Sequence, residues 1–210
     1  RSRNPFHTDA VSTESFVSYD IFDLLMFETR DALGNTVTVN TSDDAGSAAI
    51  RIDYRVLQPY WVTDPNGNRA QVAFDTLGMV VGTAVMGKPL PAPVEGDSLA
   101  LFEADLSQAQ IDGFYDAADP HMPAPDLLRD ATTRIIYDLD RFQRSRMANP
   151  NNPTKWLPAY AATLARETHA SDPLPPQGLK IQIGFSYSDG FGREIQKKIQ
   201  AEPGPLVDGG

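Results

Sequence analysis

A short turn motif recurs along this sequence and limits the folds available to it more than any other feature. The pattern is Asp, any residue, Leu or Phe, then Gly, and it occurs at residues 31–34, 75–78 and 189–192. An Asp side chain can accept hydrogen bonds from the amides of a tight turn, and Gly can adopt the positive φ angle that the turn needs. Each copy follows or joins a strand-like run, so the motif predicts a repetitive sheet of strand–turn–strand units.

Related signals extend this pattern. Tyr19-Asp20 and Tyr137-Asp138 repeat an aromatic–Asp start without the Gly. Residues 64–68 (DPNGN) place Pro and then Asn-Gly between two strand-like runs, which is typical of a β-hairpin. We therefore expect eight residues to form the structural turns of the repeat: Asp31, Gly34, Asp64, Gly67, Asp75, Gly78, Asp189 and Gly192.

Apolar and polar residues alternate most clearly over 180–188, which predicts a strand with one buried face. Residues 36–39, 69–74 and 134–137 are β-branched or aromatic runs of the same kind. Residues 193–200 fit a strand or a helix, because Ile195 and Ile199 also have helical spacing. With 17 Pro and 15 Gly dividing the chain into short segments, the fold class predicted is mainly β. We expect an antiparallel repeat-type sheet with one or two short inserted helices.

One segment departs from the β pattern. Ser107 and Gln110 have the spacing of a capping box, and apolar residues follow them at helical intervals. We expect a helix of about three turns that ends before Pro120. It lies in a Pro-rich insertion, residues 89–130, between β-rich segments 1–88 and 131–210, all three forming one structural unit.

Composition excludes several classes of function. The formal net charge is −10 and the pI is about 4.6, which argues against nucleic-acid binding because that requires clustered cations. No cysteine is present, which excludes disulfides, thiolate zinc sites and cysteine nucleophiles. A small basic cluster, Arg141, Arg144 and Arg146, is interpreted as the solvated flank of a loop.

The histidines and acidic residues do not predict a metal site. His7, His121 and His169 lack ligand spacing, and His121 beside Asp119 and Asp126 is interpreted as a surface residue of a Pro-rich loop.

Two acidic groups are candidates for calcium binding: Asp43 with Asp44, and Asp64 with Asn66 and Asn68. The second group alternates oxygen ligands as an EF-hand loop does at its start. Pro65 and the absence of a distal Glu favour hairpin chemistry for the second group. Residues 184–187 lack the closing Gly of a serine nucleophile elbow. We therefore expect no enzyme activity and assign no catalytic, cofactor-binding or metal-ligating residue.

The repeated motifs resemble the Rhs, or YD, repeats of bacterial toxins, with residues 185–196 (FSYSDGFGREIQ) the best copy and residues 62–78 the next. Phe74 stands where the repeat has Tyr, and Met79 where it has Arg. Over nearly its whole length the chain is similar to the middle region of the B component of bacterial insecticidal Tc toxin complexes, a family that includes SpvB-like proteins. Residues 130–139, 162–169 and 200–205 carry that closer resemblance.

The resemblance implies a structural role. In that family the B and C components form a hollow shell of spiralling β-sheet around the toxic C-terminal enzyme of the C component. A propeller elsewhere in B docks on the A component, the translocation channel. This chain would then be a wall segment of a much larger secreted protein, with the C component as partner, and without nucleic-acid binding or membrane insertion of its own. Its first residues hold no Met and no apolar signal core.

A different class of function stays open at this point. Tyr60 and Trp61 could stack on a sugar, so a self-contained β module that binds cell-surface glycans is the alternative. An independent hydrolase is the third hypothesis.

Overall fold

The computed structural model describes residues 2–3, 13–42, 48–89 and 94–199, and these form fifteen strands and three α-helices. The strands are β1 (Ser2–Arg3), β2 (Glu14–Tyr19), β3 (Met26–Arg30), β4 (Thr36–Thr38), β5 (Asn40–Ser42), β6 (Ala48–Ile50), β7 (Ile52–Asp53), β8 (Gln58–Pro59), β9 (Trp61–Thr63), β10 (Arg69–Phe74), β11 (Val80–Met86), β12 (Thr133–Asp138), β13 (Ala159–Arg166), β14 (Ile181–Ser188) and β15 (Glu194–Ile199). The helices are α1 (Gln108–Tyr115), α2 (Ala124–Leu128) and α3 (Arg141–Ala148), with a 3-10 turn at Pro153–Lys155.

Eleven strands form one antiparallel sheet, in the order β1-β2-β3-β4-β9-β10-β11-β12-β13-β14-β15. The small ribbons β5–β6 and β7–β8 lie in the connection between β4 and β9. The predicted mainly-β class is therefore confirmed. The division into segments 1–88, 89–130 and 131–210 stays a prediction, although β11 and β12 pair directly across the inserted residues.

Strand direction alternates along this order, which decides where the turns lie. The turns after β2, β10 and β14 are at one end of the strands, called here the upper end, together with the end of β12. The turns after β3 and β9 lie at the opposite end.

The core lies between α1, α2 and one face of strands β11 to β14. Alternate residues of β12 and β14 are buried, as period-two patterning requires. Among the fully buried side chains are Phe114 of α1, Leu128 of α2, Ile136 of β12 and Leu164 of β13. Burial of each contributes about 1.5–3 kcal/mol relative to exposure.

The helix predicted from the capping box is present but shorter than expected. Ser107 and Gln110 form the reciprocal cap, with the Ser107 amide donating to Gln110 Oε1 at 2.8 Å. The helix has eight residues, about two turns, and ends at Tyr115 with Asp116 as its C-cap. The next residues approach Pro120, which disfavours helical geometry in the residue before it.

The interpretation of the basic cluster as a loop flank was wrong, because Arg141, Arg144 and Arg146 lie on α3. Arg141 is buried, with its guanidinium 3.8 Å from the centre of the Tyr115 ring. Arg144 donates to both carboxylate oxygens of buried Asp138, at 2.9 and 3.0 Å. These contacts with residues outside the helix stabilise α3, which local sequence does not predict.

Candidate functional site

The eight predicted turn residues lie in four hairpin turns of the large sheet. Asp31 and Gly34 lie between β3 and β4, and Asp64 and Gly67 between β9 and β10. Asp75 and Gly78 join β10 to β11, and Asp189 and Gly192 join β14 to β15. These turns recur along the sheet, so they are the first candidate for a feature with a function.

The turn at residues 64–68 shows the geometry. The Asp64 amide donates to the Asn68 carbonyl at 2.8 Å, and the Gly67 amide donates to the Asp64 carbonyl at 3.0 Å. Asp64 Oδ1 accepts from the amides of Asn66 and Asn68, both at 2.8 Å. Gly67 has φ +84°, so the loop is the three-residue hairpin in which a turn is followed by a left-handed residue.

The other three turns are closed in the same way. In each one the Asp amide donates to the carbonyl four residues later. Asp31 Oδ1 accepts from the Asn35 amide at 2.8 Å, as Asp75 Oδ1 does from the Met79 amide, and Asp189 Oδ1 accepts from the Phe191 amide at 2.8 Å. The glycines have φ values of +87°, +83° and +80° in the same order. One local mechanism therefore builds four hairpins from different sequences.

A fifth, related turn was not among the predicted turn residues, and it is closed one residue later, by the Asp20 amide and the Leu25 carbonyl at 2.8 Å. Asp20 Oδ1 accepts from the amides of Phe22 at 3.2 Å and Leu24 at 2.8 Å. Asp23 takes the left-handed position, with φ +52°, which Asp tolerates better than most residues do. The aromatic–Asp pair at 19–20 is the sequence signal for this turn, but without the Gly it does not predict the turn clearly. The similar pair at 137–138 forms no such turn and leads into α3 instead.

The hydrogen bonds stabilise the ionised form of these carboxylates. The side-chain amides of Asn35 and Asn68 donate to Asp31 and Asp64 at 2.7 and 2.9 Å, and these bonds lower the pKa of each carboxyl. The pKa of Asp189 is also lowered, chiefly by the Phe191 amide. The folded forms of these three turns therefore favour ionised aspartates.

A short loop, residues 54–57, connects two turns of the upper end. Tyr54 Oη donates to Asp20 Oδ2 at 2.9 Å, and Arg55 Nη1 donates to the Asp75 carbonyl at 3.4 Å. Val56 lies so close to Gly78 that a Cβ added there would be 2.5 Å from Val56 Cγ1. The loop thus fixes the relative position of the turn after β2 and the turn after β10.

The opposite end of the sheet contains a buried carboxylate that sequence reasoning also missed. The Asp97 side chain has 0% exposure, and it accepts from Arg166 Nη1 at 3.2 Å and from the Ala170 amide at 2.7 Å. Thr132 and His169 contact its second oxygen. Burial raises the pKa of Asp97, but these donors outweigh it and the net pKa is lowered. Its partners come from three segments distant in sequence, so no local pattern indicates it.

The remaining candidates do not assemble into a site. His121 Nδ1 lies 2.9 Å from Asp119, whereas Asp126 lies beside Arg129. Within the described ranges no group of three potential ligands could hold a metal ion. His7, Asp43 and Asp44, together with residues 200–205, lie outside the described residues.

The aromatic pair proposed for sugar stacking is half-buried. Arg69 lies over the Trp61 ring at 5.7 Å, and Tyr60 Oη accepts a hydrogen bond from Arg51 at 3.4 Å. In the part of the chain that the structure covers, no helix is long and apolar enough to cross a membrane.

These features define an antiparallel sheet of recurring aspartate–glycine hairpins, with helices on one face. Solved structures with this fold include those of Tc toxin components. The TcdB2–TccC3 complex aligns at TM-score 0.60 and 22% identity over 87% of this chain and 7% of that chain. The same complex without its hypervariable C-terminal region gives TM-score 0.60 and 18% identity over 88% of this chain and 10% of the other.

The Photorhabdus luminescens Tc holotoxin pore aligns at TM-score 0.53 and 21% identity, over 90% of this chain and 10% of that one. The predicted likeness to Tc toxin B–C structures is confirmed at the level of fold. The chain spans at most a tenth of the length of these relatives. No protein-family model matches the sequence, and no curated protein matches it.

Proposed function

We propose that this chain is a wall segment of a Tc-type toxin B component. It would help to form the β-sheet shell that encloses the toxic C-terminal enzyme of the C component before translocation. The observation that carries the proposal is the fold shared with TcdB2–TccC3 over 87% of the chain.

The architecture suits a wall. An eleven-stranded sheet joined mostly by tight hairpins can extend strand by strand, and its turns require only local residues of the Rhs type. The proposed partners are the C component and, through other regions of the same secreted protein, the A component. The role is non-enzymatic. The glycan-binding alternative is not favoured, because Trp61 and Tyr60 are packed and bonded within the sheet.

The two faces of the sheet provide a test of the proposal. The test compares the isolated chain with the assembled toxin complex. The chain has no cysteine, so single cysteines report on single positions. Thr163→Cys lies on the exposed face of β13, opposite the helix-covered face, and Asp126→Cys lies on the outside of α2, where its side chain is 86% exposed. Each variant is treated with a large polymer-linked maleimide that cannot pass through a wall.

We expect both cysteines to react in the isolated chain, but only one of them in the assembled complex. The protected position then identifies the inner face. Equal labelling of both positions in the complex would exclude a wall, because no compartment would separate the two faces.

A further inference from the structure

A groove at the upper end of the sheet has no role in the turns or the core. It is a cavity of about 290 Å³ between the β10–β11 turn, α1 and β12. Its half-buried floor includes Met79, Leu106 and Ile111, and its rim carries the exposed carboxylates of Asp105 and Asp140. We call this feature the acidic groove.

Exposed apolar residues border the acidic groove. The Leu77 side chain is 74% exposed and Leu139 is 53% exposed. Leu77 occupies the third position of its turn, and the equivalent position in the turn at 64–68 is Asn66, with the same backbone–backbone hydrogen bonds. The turn therefore does not need an apolar residue there, so Leu77 is available for contact with another molecule.

The charge around the groove is predominantly negative. Asp75 joins Asp105 and Asp140 among the lining residues, and Arg134 is the basic residue that lines it. Two arginines lie beside these carboxylates, but Arg144 is shared among Asp112, Asp138 and Asp140, and Arg55 is paired with Asp53. The Arg134 guanidinium is buried, and its Nε and Nη2 donate to the carbonyls of Leu127 and Glu103, so two of its three nitrogens are bonded within the fold and Nη1 has no hydrogen-bond partner among the described residues. The negative charge at the rim thus attracts a cationic partner. Apolar side chains of that partner would be removed from water on contact with the apolar floor.

We propose that the acidic groove binds a polypeptide segment of a partner in which apolar side chains alternate with lysine or arginine. The apolar side chains would lie on Met79, Leu106 and Ile111, beside Leu77. The cations would face Asp105 and Asp140. This inference holds for the chain whether or not it belongs to a shell, so its test is independent of the labelling experiment.

The test measures binding of a fluorescein-labelled octapeptide of alternating leucine and lysine to the chain by fluorescence anisotropy. We expect binding that weakens as salt rises, because the rim charges are exposed. A serine–lysine peptide and a leucine–glutamate peptide each lack one half of the proposed chemistry, and we expect neither to bind comparably.

Variants locate the binding. Leu77→Asn introduces the residue found at the matching position of the 64–68 turn. Asp105→Asn keeps a side-chain oxygen that can accept the hydrogen bond from the Thr76 amide, which Asp105 Oδ1 accepts at 2.8 Å. We expect each to weaken binding, Leu77→Asn by about tenfold, the factor expected for loss of one buried apolar side chain. Leu33→Asn makes the same change in the same type of turn at the opposite end, where we expect no effect.

Three outcomes would overturn the proposal. They are an unchanged affinity in Leu77→Asn, equal binding of the serine–lysine peptide, and no binding of the leucine–lysine peptide. Loss of self-association in Leu77→Asn without any peptide binding would instead assign the groove to a second copy of the chain.

Discussion

At the scale of single residues, the turn glycines share one backbone requirement but have different surroundings. Gly34 and Gly78 both have positive φ angles, of +87° and +83°. A Cβ on Gly34 would meet nothing within 4 Å, whereas a Cβ on Gly78 would be 2.5 Å from Val56 Cγ1. Equivalent positions of the repeat therefore tolerate side chains unequally.

We expect Gly34→Ala to lower the free energy of unfolding by about 1–2 kcal/mol, the cost of a left-handed residue with a Cβ. Gly78→Ala should cost about 1–3 kcal/mol more, because Val56 must move from a packed position. Urea denaturation of both variants measures the difference. Adding Val56→Ala should recover much of the extra cost in Gly78→Ala, and a failure to do so would place the strain elsewhere.

The turn carboxylates make stability depend on pH. The lowered pKa values of Asp31, Asp64 and Asp189 mean that the folded state prefers their ionised forms. Their contribution is therefore present above the unfolded pKa near 3.8 and is lost as pH falls through the lower folded values.

Asp64→Asn should lower the urea midpoint at pH 7, because its amide group cannot accept from the Asn68 side chain as Asp64 Oδ2 does. The variant should lose less stability than the parent chain between pH 5 and pH 2, since one of the titrating carboxylates is gone. Midpoints measured across that range test this, and parallel curves would show that Asp64 does not titrate with folding.

These residues also show what local sequence can predict. The motif Asp-x-x-Gly carries its own hydrogen bonds within five residues, so a pattern predicts where such a turn lies. The turn at Asp20 has Asp23 where the other turns have Gly, so the sequence lacks the residue that identifies the motif most clearly. Asp97 could not be found at all, because Arg166 and Ala170 lie about seventy positions away in sequence.

At the scale of elements, each run predicted to be a strand corresponds to one, but other strands were missed. The runs predicted at 180–188, 69–74, 36–39 and 134–137 correspond to β14, β10, β4 and β12, and the ambiguous 193–200 contains strand β15. β13 was missed because Ala and Thr dominate residues 159–166, so its alternation is faint. β13 forms because it pairs with both β12 and β14. These hydrogen bonds stabilise a strand that the propensities of its own residues do not predict.

Asp97 joins elements in a way that a single substitution can test. Asp97→Ala removes the carboxylate from Arg166, whose side chain is only 5% exposed. Removal of one member of a buried ion pair costs about 3–5 kcal/mol, because the remaining charge stays buried. Thermal and urea denaturation should both show this loss.

Asp126→Ala is the matched control, since that carboxylate is exposed and lies 3.8 Å from Arg129. We expect a change below about 1 kcal/mol there. Similar effects of the two substitutions would contradict the central role given to Asp97.

At the scale of the whole molecule, the sheet has an exposed edge whose residues limit pairing. All six residues of β15 are exposed, and within the described residues its strand partner is β14. Lys198 pairs with Phe185 on the face that buries Tyr187, and its Nζ lies 5.1 Å from the Tyr187 ring centre. An inward-pointing charge on an edge strand is a common means of preventing edge-to-edge association.

The face on which Lys198 lies should therefore affect association of the chain more than its charge does. We expect the chain to associate at high concentration through β15, because unpaired backbone groups favour strand addition. Lys198→Val should strengthen that association, since it makes the core-facing side of the edge apolar. Lys197→Val removes the same charge from the other face, where Lys197 pairs with Ser186, and should change association less.

Light scattering over a concentration series measures all three proteins. Equal strengthening by both substitutions would mean that net charge, and not the inward lysine, protects the edge, and a monomer at every concentration would show that β15 does not accept another strand.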